Sequence, residues 1–119
     1  MQLVKRSPEE IEYAFNTFIE KIQVKLDEHW TNNYANLTPP FVAVYPGRIY
    51  WKIVKEDPPD QFGQSASVYG FVRKSDGAIF KAASFKAPNT KGASAIRGYV
   101  NDSSNGMDAT TAYGIVYAR

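Results

Sequence analysis

Residues 7–30 read SPEEIEYAFNTFIEKIQVKLDEHW, and the periodicity of this stretch decides the fold. Ser7 is placed to accept the backbone N–H of Glu10 while the Glu10 carboxylate reaches back to the Ser7 N–H, the reciprocal pair of a capping box. Pro8 takes the first helical position, where no N–H is needed. Beyond the cap, Ile11, Ala14, Phe15, Phe18, Ile22 and Leu26 recur every three or four residues, with Ile19 broadening the stripe. The spacing predicts one long helix starting at Ser7 or Pro8. Asn32 and Asn33 are its expected stop, since asparagine tolerates the left-handed conformation found at many helix ends. A stripe of that width must be buried against another layer.

The layer is sought downstream. LTPP at 37–40 cannot continue a helix, and residues 41–55, FVAVYPGRIYWKIVK, are two β-rich runs around Pro46 and Gly47, a pair suited to the centre of a type II turn. In the second run Ile49, Trp51 and Ile53 alternate with Arg48, Tyr50 and Lys52, which predicts one core face and one basic, aromatic face. EDPPDQFGQSAS at 56–67 is a loop. Ser75, Asp76 and Gly77 then form a turn between a strand at 67–73 and one at 78–85. Residues 88–111 are polar with short apolar islands, expected as an ordered loop or short helical turn, and TAYGIVYAR at 111–119 is read as the last strand. The sum is a single α+β domain over residues 1–119: one long N-terminal helix packed on an antiparallel sheet of about five strands.

The totals narrow the chemistry. The chain has 119 residues and no cysteine, which excludes disulfides and thiolate metal sites, and its single histidine, His29, cannot build a multi-histidine centre. No run approaches the roughly 18 consecutive apolar residues of a membrane span, and MQLVKRSPEE lacks the apolar segment of a signal peptide. The expectation is a cytoplasmic protein with no membrane partner. Asp57 with Asp60, and Asp102 with Asp108, lie in turn-like sequence where aspartate serves its own backbone. His29, close to a helix end, is read as a helix-end interaction before a catalyst. No enzyme activity, cofactor or metal is therefore expected. Charge is unevenly spread: residues 7–30 hold six carboxylates against two lysines, and residues 73–97 hold six cations against Asp76 alone. Attraction for anions belongs to the second segment.

Within it, FKAASFKAP at 80–88 repeats a Phe-Lys-Ala unit. Read as a strand, Ala82, Ala83 and Ser84 leave room for something flat, and Phe85 offers a ring for stacking. Lys81, Lys86, Lys91 and Arg97 offer cations to phosphates, and Asn89, Thr90 and Asn101 offer polar edges to a base or ribose. The structural alternative has the alanines making space for the helix, Phe80 and Phe85 in the core and the lysines in water. A second ligand class is single-stranded nucleic acid, on a face carrying Arg48, Tyr50, Lys52, Tyr113 and Tyr117, and a third reading is a structural protein whose helix face or sheet edge assembles with copies of itself.

GAIFKAASFKAPNTKGASAIRGYVND at 77–102, with YGIVYAR at 113–119, resembles a block in small phage-encoded proteins. There a turn glycine leads into Lys-Ala-Ala-Ser, then Trp or Phe, Lys-Ala-Pro, a basic stretch with Arg and a closing aromatic segment ending in Arg. This chain departs by the extra NTKGASAI between Pro88 and Arg97. In size and layout it also resembles the phage sponge proteins that counter Thoeris immunity by sequestering a cyclic ADP-ribose signal. That resemblance implies a homo-oligomer, a pocket near subunit boundaries, a ring for adenine and arginines for the diphosphate. Carried onto this sequence, the ligand-binding set is Lys81, Phe85, Lys86, Asn89, Arg97, Asn101 and Arg119, with a small nucleotide signal as partner in the host cytoplasm.

Overall fold

The computed structural model describes residues 7–58 and 66–116. Helix α1, Pro8–Asn33, starts as its sequence requires: the Ser7 hydroxyl accepts the Glu10 N–H at 3.3 Å, and the Glu10 carboxylate accepts the Ser7 N–H at 3.4 Å. Its far end differs from expectation. Tyr34 caps the helix at φ −140°, outside the left-handed region, and the Asn33 side-chain amide donates to the His29 carbonyl at 2.8 Å. A side-chain donor thus satisfies a terminal carbonyl. Ile11, Phe15, Phe18, Ile22 and Leu26 are buried, each contributing about 1.5–3 kcal/mol by leaving water.

The strands lie in chain order: β1 (Phe41–Pro46), β2 (Tyr50–Glu56), β3 (Ala66–Arg73), β4 (Ala78–Phe80) and β5 (Gly98–Tyr99), each antiparallel to its neighbour. The protein is therefore α+β, one long N-terminal helix on a five-stranded antiparallel sheet. α1 covers one face, packing with Trp51, Ile53, Val72 and Ile79, and Phe15 stacks on Trp51 with ring centroids 4.1 Å apart. A second, smaller cluster on the outer face joins Phe71, Ala78, Phe80 and Ala95, with Ala82 and Tyr50 packed against it.

Three local features depart from the sequence-based expectation. Pro46 is not in the turn: it pairs with Trp51 as the last residue of β1, and the chain reverses over residues 47–50, where the Gly47 N–H donates to the Tyr50 carbonyl at 2.8 Å. Proline is tolerated because β1 is an edge strand. Ile49 consequently falls in the turn and is 55 % exposed instead of joining the core. β4 stops at Phe80, not at residue 85. Residues 81–89 fold back as a narrow loop, with the Asn89 N–H on the Lys81 carbonyl at 2.8 Å and the Ala83 N–H on the Ala87 carbonyl at 2.9 Å.

The fifth strand, in turn, comes from within the polar segment and not from residues 111–116 of TAYGIVYAR, whose last three residues lie outside the described ones. In that last stretch the Thr111 N–H donates to the Gly114 carbonyl at 2.8 Å, making a tight turn that sets Ile115 against β3. A Cβ on Gly70 would stand 2.5 Å from Ile115 Cγ1. The glycine in β3 is the space that admits the C-terminal segment. The polar segment also contains the expected short helical turn, a 3-10 helix at Met107–Ala109, entered through left-handed Gly106 at φ 77°.

Gln23 closes the exposed edge of β1. Its Nε2 donates to the Pro40 carbonyl at 3.0 Å and its Oε1 accepts the Val42 N–H at 2.8 Å, so one side-chain amide mimics the peptide of a further strand. With Pro46 lacking an N–H, little of this edge is left to template another chain. Among the described residues no helix is long and apolar enough to cross a membrane.

Candidate functional site

The residues expected to bind ligand are separated into several places. Lys81 leaves β4 and its Nζ donates to the Ile115 carbonyl at 2.8 Å. Arg97 precedes β5, its N–H donating to the Ile79 carbonyl at 2.8 Å. The two cations feel each other: burial, and then the Arg97 charge, hold the Lys81 ammonium below its ordinary pKa. Nε and Nη1 of Arg97 are buried and meet no hydrogen-bond partner among the described residues. A buried donor left unpaired costs about 1–3 kcal/mol. No carboxylate occurs in the chain between Asp76 and Asp102, so this segment brings no acid of its own.

Phe85 lies in the 81–89 loop, 54 % exposed, so the structural alternative fails for this ring while holding for Phe80, which is buried. The Lys52 ammonium sits 3.6 Å from the Phe85 ring centroid. That contact falls within the range of a cation–π attraction. Lys86 is exposed beside it, and Asn89 uses its Oδ1 to accept the Lys91 N–H at 3.2 Å, a turn-forming role. The small-residue floor is not formed. Ala82 packs on the outer-face cluster and Ala83 is exposed, so the alanines cover the sheet instead of opening it.

Asn101 lies elsewhere, lining an open groove of about 510 Å³ with Glu9, Glu10, Tyr13 and Asp102. Its acidic walls suit an anion poorly. Further grooves of about 420, 210 and 580 Å³ run along α1 and include none of Lys81, Phe85, Lys86, Asn89 or Arg97. Arg119 and Tyr117 lie outside the described residues, as does Asp60.

The expected basic, aromatic face is also divided. Tyr50 packs on the outer-face cluster, and Arg48 is exposed in the β1–β2 turn. Tyr113 belongs to the far end of α1, where its hydroxyl meets His29 Nε2 at 2.9 Å and its ring neighbours Trp30. The His29 ring thus engages a tyrosine hydroxyl of the C-terminal segment instead of a carbonyl of the helix end. Asp102 serves a turn: its Oδ1 accepts the Ser104 N–H, the Ser104 hydroxyl and the Gly106 N–H, each at 2.9 Å. What the sequence reading missed is Tyr45, which stands opposite Lys52 across β1 and β2. The alternation of Phe41, Ala43 and Tyr45 against Val42 and Val44 carried that signal.

The model of a family of unknown function, DUF7717, matches residues 3–113. The chain belongs to this family. The matched span takes in α1, all five strands and both Lys81 and Arg97. No curated protein and no solved structure matches the chain.

Proposed function

We propose that the chain is a non-enzymatic binder of a small anionic nucleotide signal, such as a cyclic ADP-ribose isomer, held as a phage-type anti-defence sponge in the host cytoplasm. One observation carries the reading: two buried guanidinium nitrogens of Arg97 without a hydrogen-bond partner among the described residues, beside a second cation, Lys81. A phosphate supplies the missing acceptors and relieves the repulsion in one step, and arginine presents it with a fork of donors. Binding of this kind needs charge-assisted hydrogen bonds and enclosure, not a tuned acid or base. Arg97 and Lys81 line none of the four grooves described above, so the enclosure is assigned to a second copy of the chain.

The test is a thermal-shift panel of cyclic ADP-ribose isomers, ADP-ribose and cyclic dinucleotides. A ligand present at 100 times its dissociation constant stabilises the fold by about 2.7 kcal/mol. One nucleotide should raise Tm in the native chain and leave Arg97→Ala unmoved. Silence across the panel, or an equal shift in Arg97→Ala, overturns the proposal.

A further inference from the structure

The outer face of the sheet carries a second, larger feature. Three rings stand about half exposed on or over it: Phe41 at 52 %, Tyr45 at 50 % and Phe85 at 54 %. Phe41 and Tyr45 share a face of β1, Tyr45 lies opposite Lys52, and Lys52 lies under Phe85. The Lys52 cation is therefore covered by the Phe85 ring and flanked across the strand pair by Tyr45. The Tyr45 hydroxyl donates to Glu56, which fixes the ring against the strand. Glu56 is the one carboxylate of β1 and β2, set against Lys52 and, in the connecting turn, Arg48, while Lys55 turns to the helix side, over the Trp30 and Tyr113 rings.

Charge follows the layers. The six carboxylates of residues 7–30 belong to the helix layer, on the opposite face of the sheet. The 81–89 loop, which reaches Lys52 through Phe85, brings Lys86 with no acid among its residues. The strongly acidic side and the basic, ring-bearing side are thus divided by the sheet itself. A polyanion is drawn to the outer side.

We propose that this outer face, built on Phe41, Tyr45, Lys52, Phe85 and Lys86, binds single-stranded nucleic acid. Exposed rings need exposed base faces, which a duplex hides within its stack, whereas successive bases of a single strand stack on aromatic side chains while cations follow the backbone. Phe41 and Tyr45 are four residues apart on one strand, about 14 Å at a strand's rise. One base cannot span both rings. A polymer of several nucleotides can, and this separates the inference from the Lys81–Arg97 reading, on which it does not rest.

The experiment is fluorescence anisotropy of the full chain with labelled oligothymidylate of about twelve nucleotides, within the usual site size of such surfaces, and with the same oligonucleotide in a duplex. The single strand should bind, more weakly as salt rises, and the duplex should bind at least tenfold more weakly. Tyr45→Ala and Phe85→Ala should each lose about tenfold in affinity with Tm within a few degrees of the native chain, since both rings are half in water. Absence of single-strand binding at low salt, equal affinity for the duplex, or unchanged affinity in both ring variants overturns the inference.

Discussion

Arg97→Met should stabilise the ligand-free protein. The substitution keeps an unbranched apolar stem but deletes the guanidinium, whose Nε and Nη1 are buried without an acceptor among the described residues. Each such donor costs about 1–3 kcal/mol, and the charge also opposes Lys81, whose pKa it helps to hold down. The two donors belong to one group and the Arg97 side chain is only partly buried, so their costs do not add in full. A net gain of about 2 kcal/mol is expected, or roughly 8 °C in Tm for a domain of this size. Scanning calorimetry of both chains without nucleotide measures it, and the same variant should no longer respond to the ligand. A protein that holds an unpaired cation for its ligand gives up stability when empty. A fall in Tm of comparable size would refute the reasoning, because the guanidinium would then be holding the fold together.

Three further outcomes follow from the packing. Gln23→Ala removes both hydrogen bonds that close the β1 edge; it should cost about 1–2 kcal/mol and increase concentration-dependent association, read by denaturant titration and light scattering. Gly70→Ala places a Cβ against Ile115 Cγ1 at 2.5 Å, and overpacking of this kind costs about 1–3 kcal/mol; Ile115→Ala in the same chain should recover part of the loss, since it removes the clashing atom. Tyr69 is buried, which pushes its phenol up to about 12 from 10.0. Its contribution is full below pH 10 and is lost as pH rises from 10 through about 12, because the unfolded chain ionises first; two units correspond to about 2–3 kcal/mol. Tyr69→Phe should flatten that alkaline limb in urea titrations at successive pH values.

The parts of the fold that were legible in the sequence are those set by neighbours in the chain. The Ser7–Glu10 cap, the five buried positions of α1 and the glycine turn before β4 depend on residues a few places apart. Pro46 and Gly47 misled because proline reads as a turn former wherever it occurs, while an edge strand can also end on it. Ile49 then moved from core to turn without any change in its own character. β5 was not legible: Gly98 and Tyr99 become a strand because Ile79 and Ala78 are there to pair with. Only the fold places Ile115 in the space left by Gly70.

At the candidate site the residue types were legible and their grouping was not. Lys81 and Arg97, sixteen positions apart in the chain, come close because the 81–89 loop folds back and β5 returns alongside β4. Phe85 and Lys52 meet for the same reason. Asn101 sits only four positions beyond Arg97, yet it lines the acidic groove against α1. Proximity in sequence misplaced it.

The most direct test of the anion site is isothermal titration calorimetry of an ADP-ribose isomer into the native chain and into Arg97→Ala. Saturable binding in the native chain, weakened at least a hundredfold by the substitution, is the predicted result, since charge-assisted hydrogen bonds to phosphate are the strongest contacts on offer. Binding of equal strength in both chains would contradict the assignment of Arg97 to the ligand's phosphate.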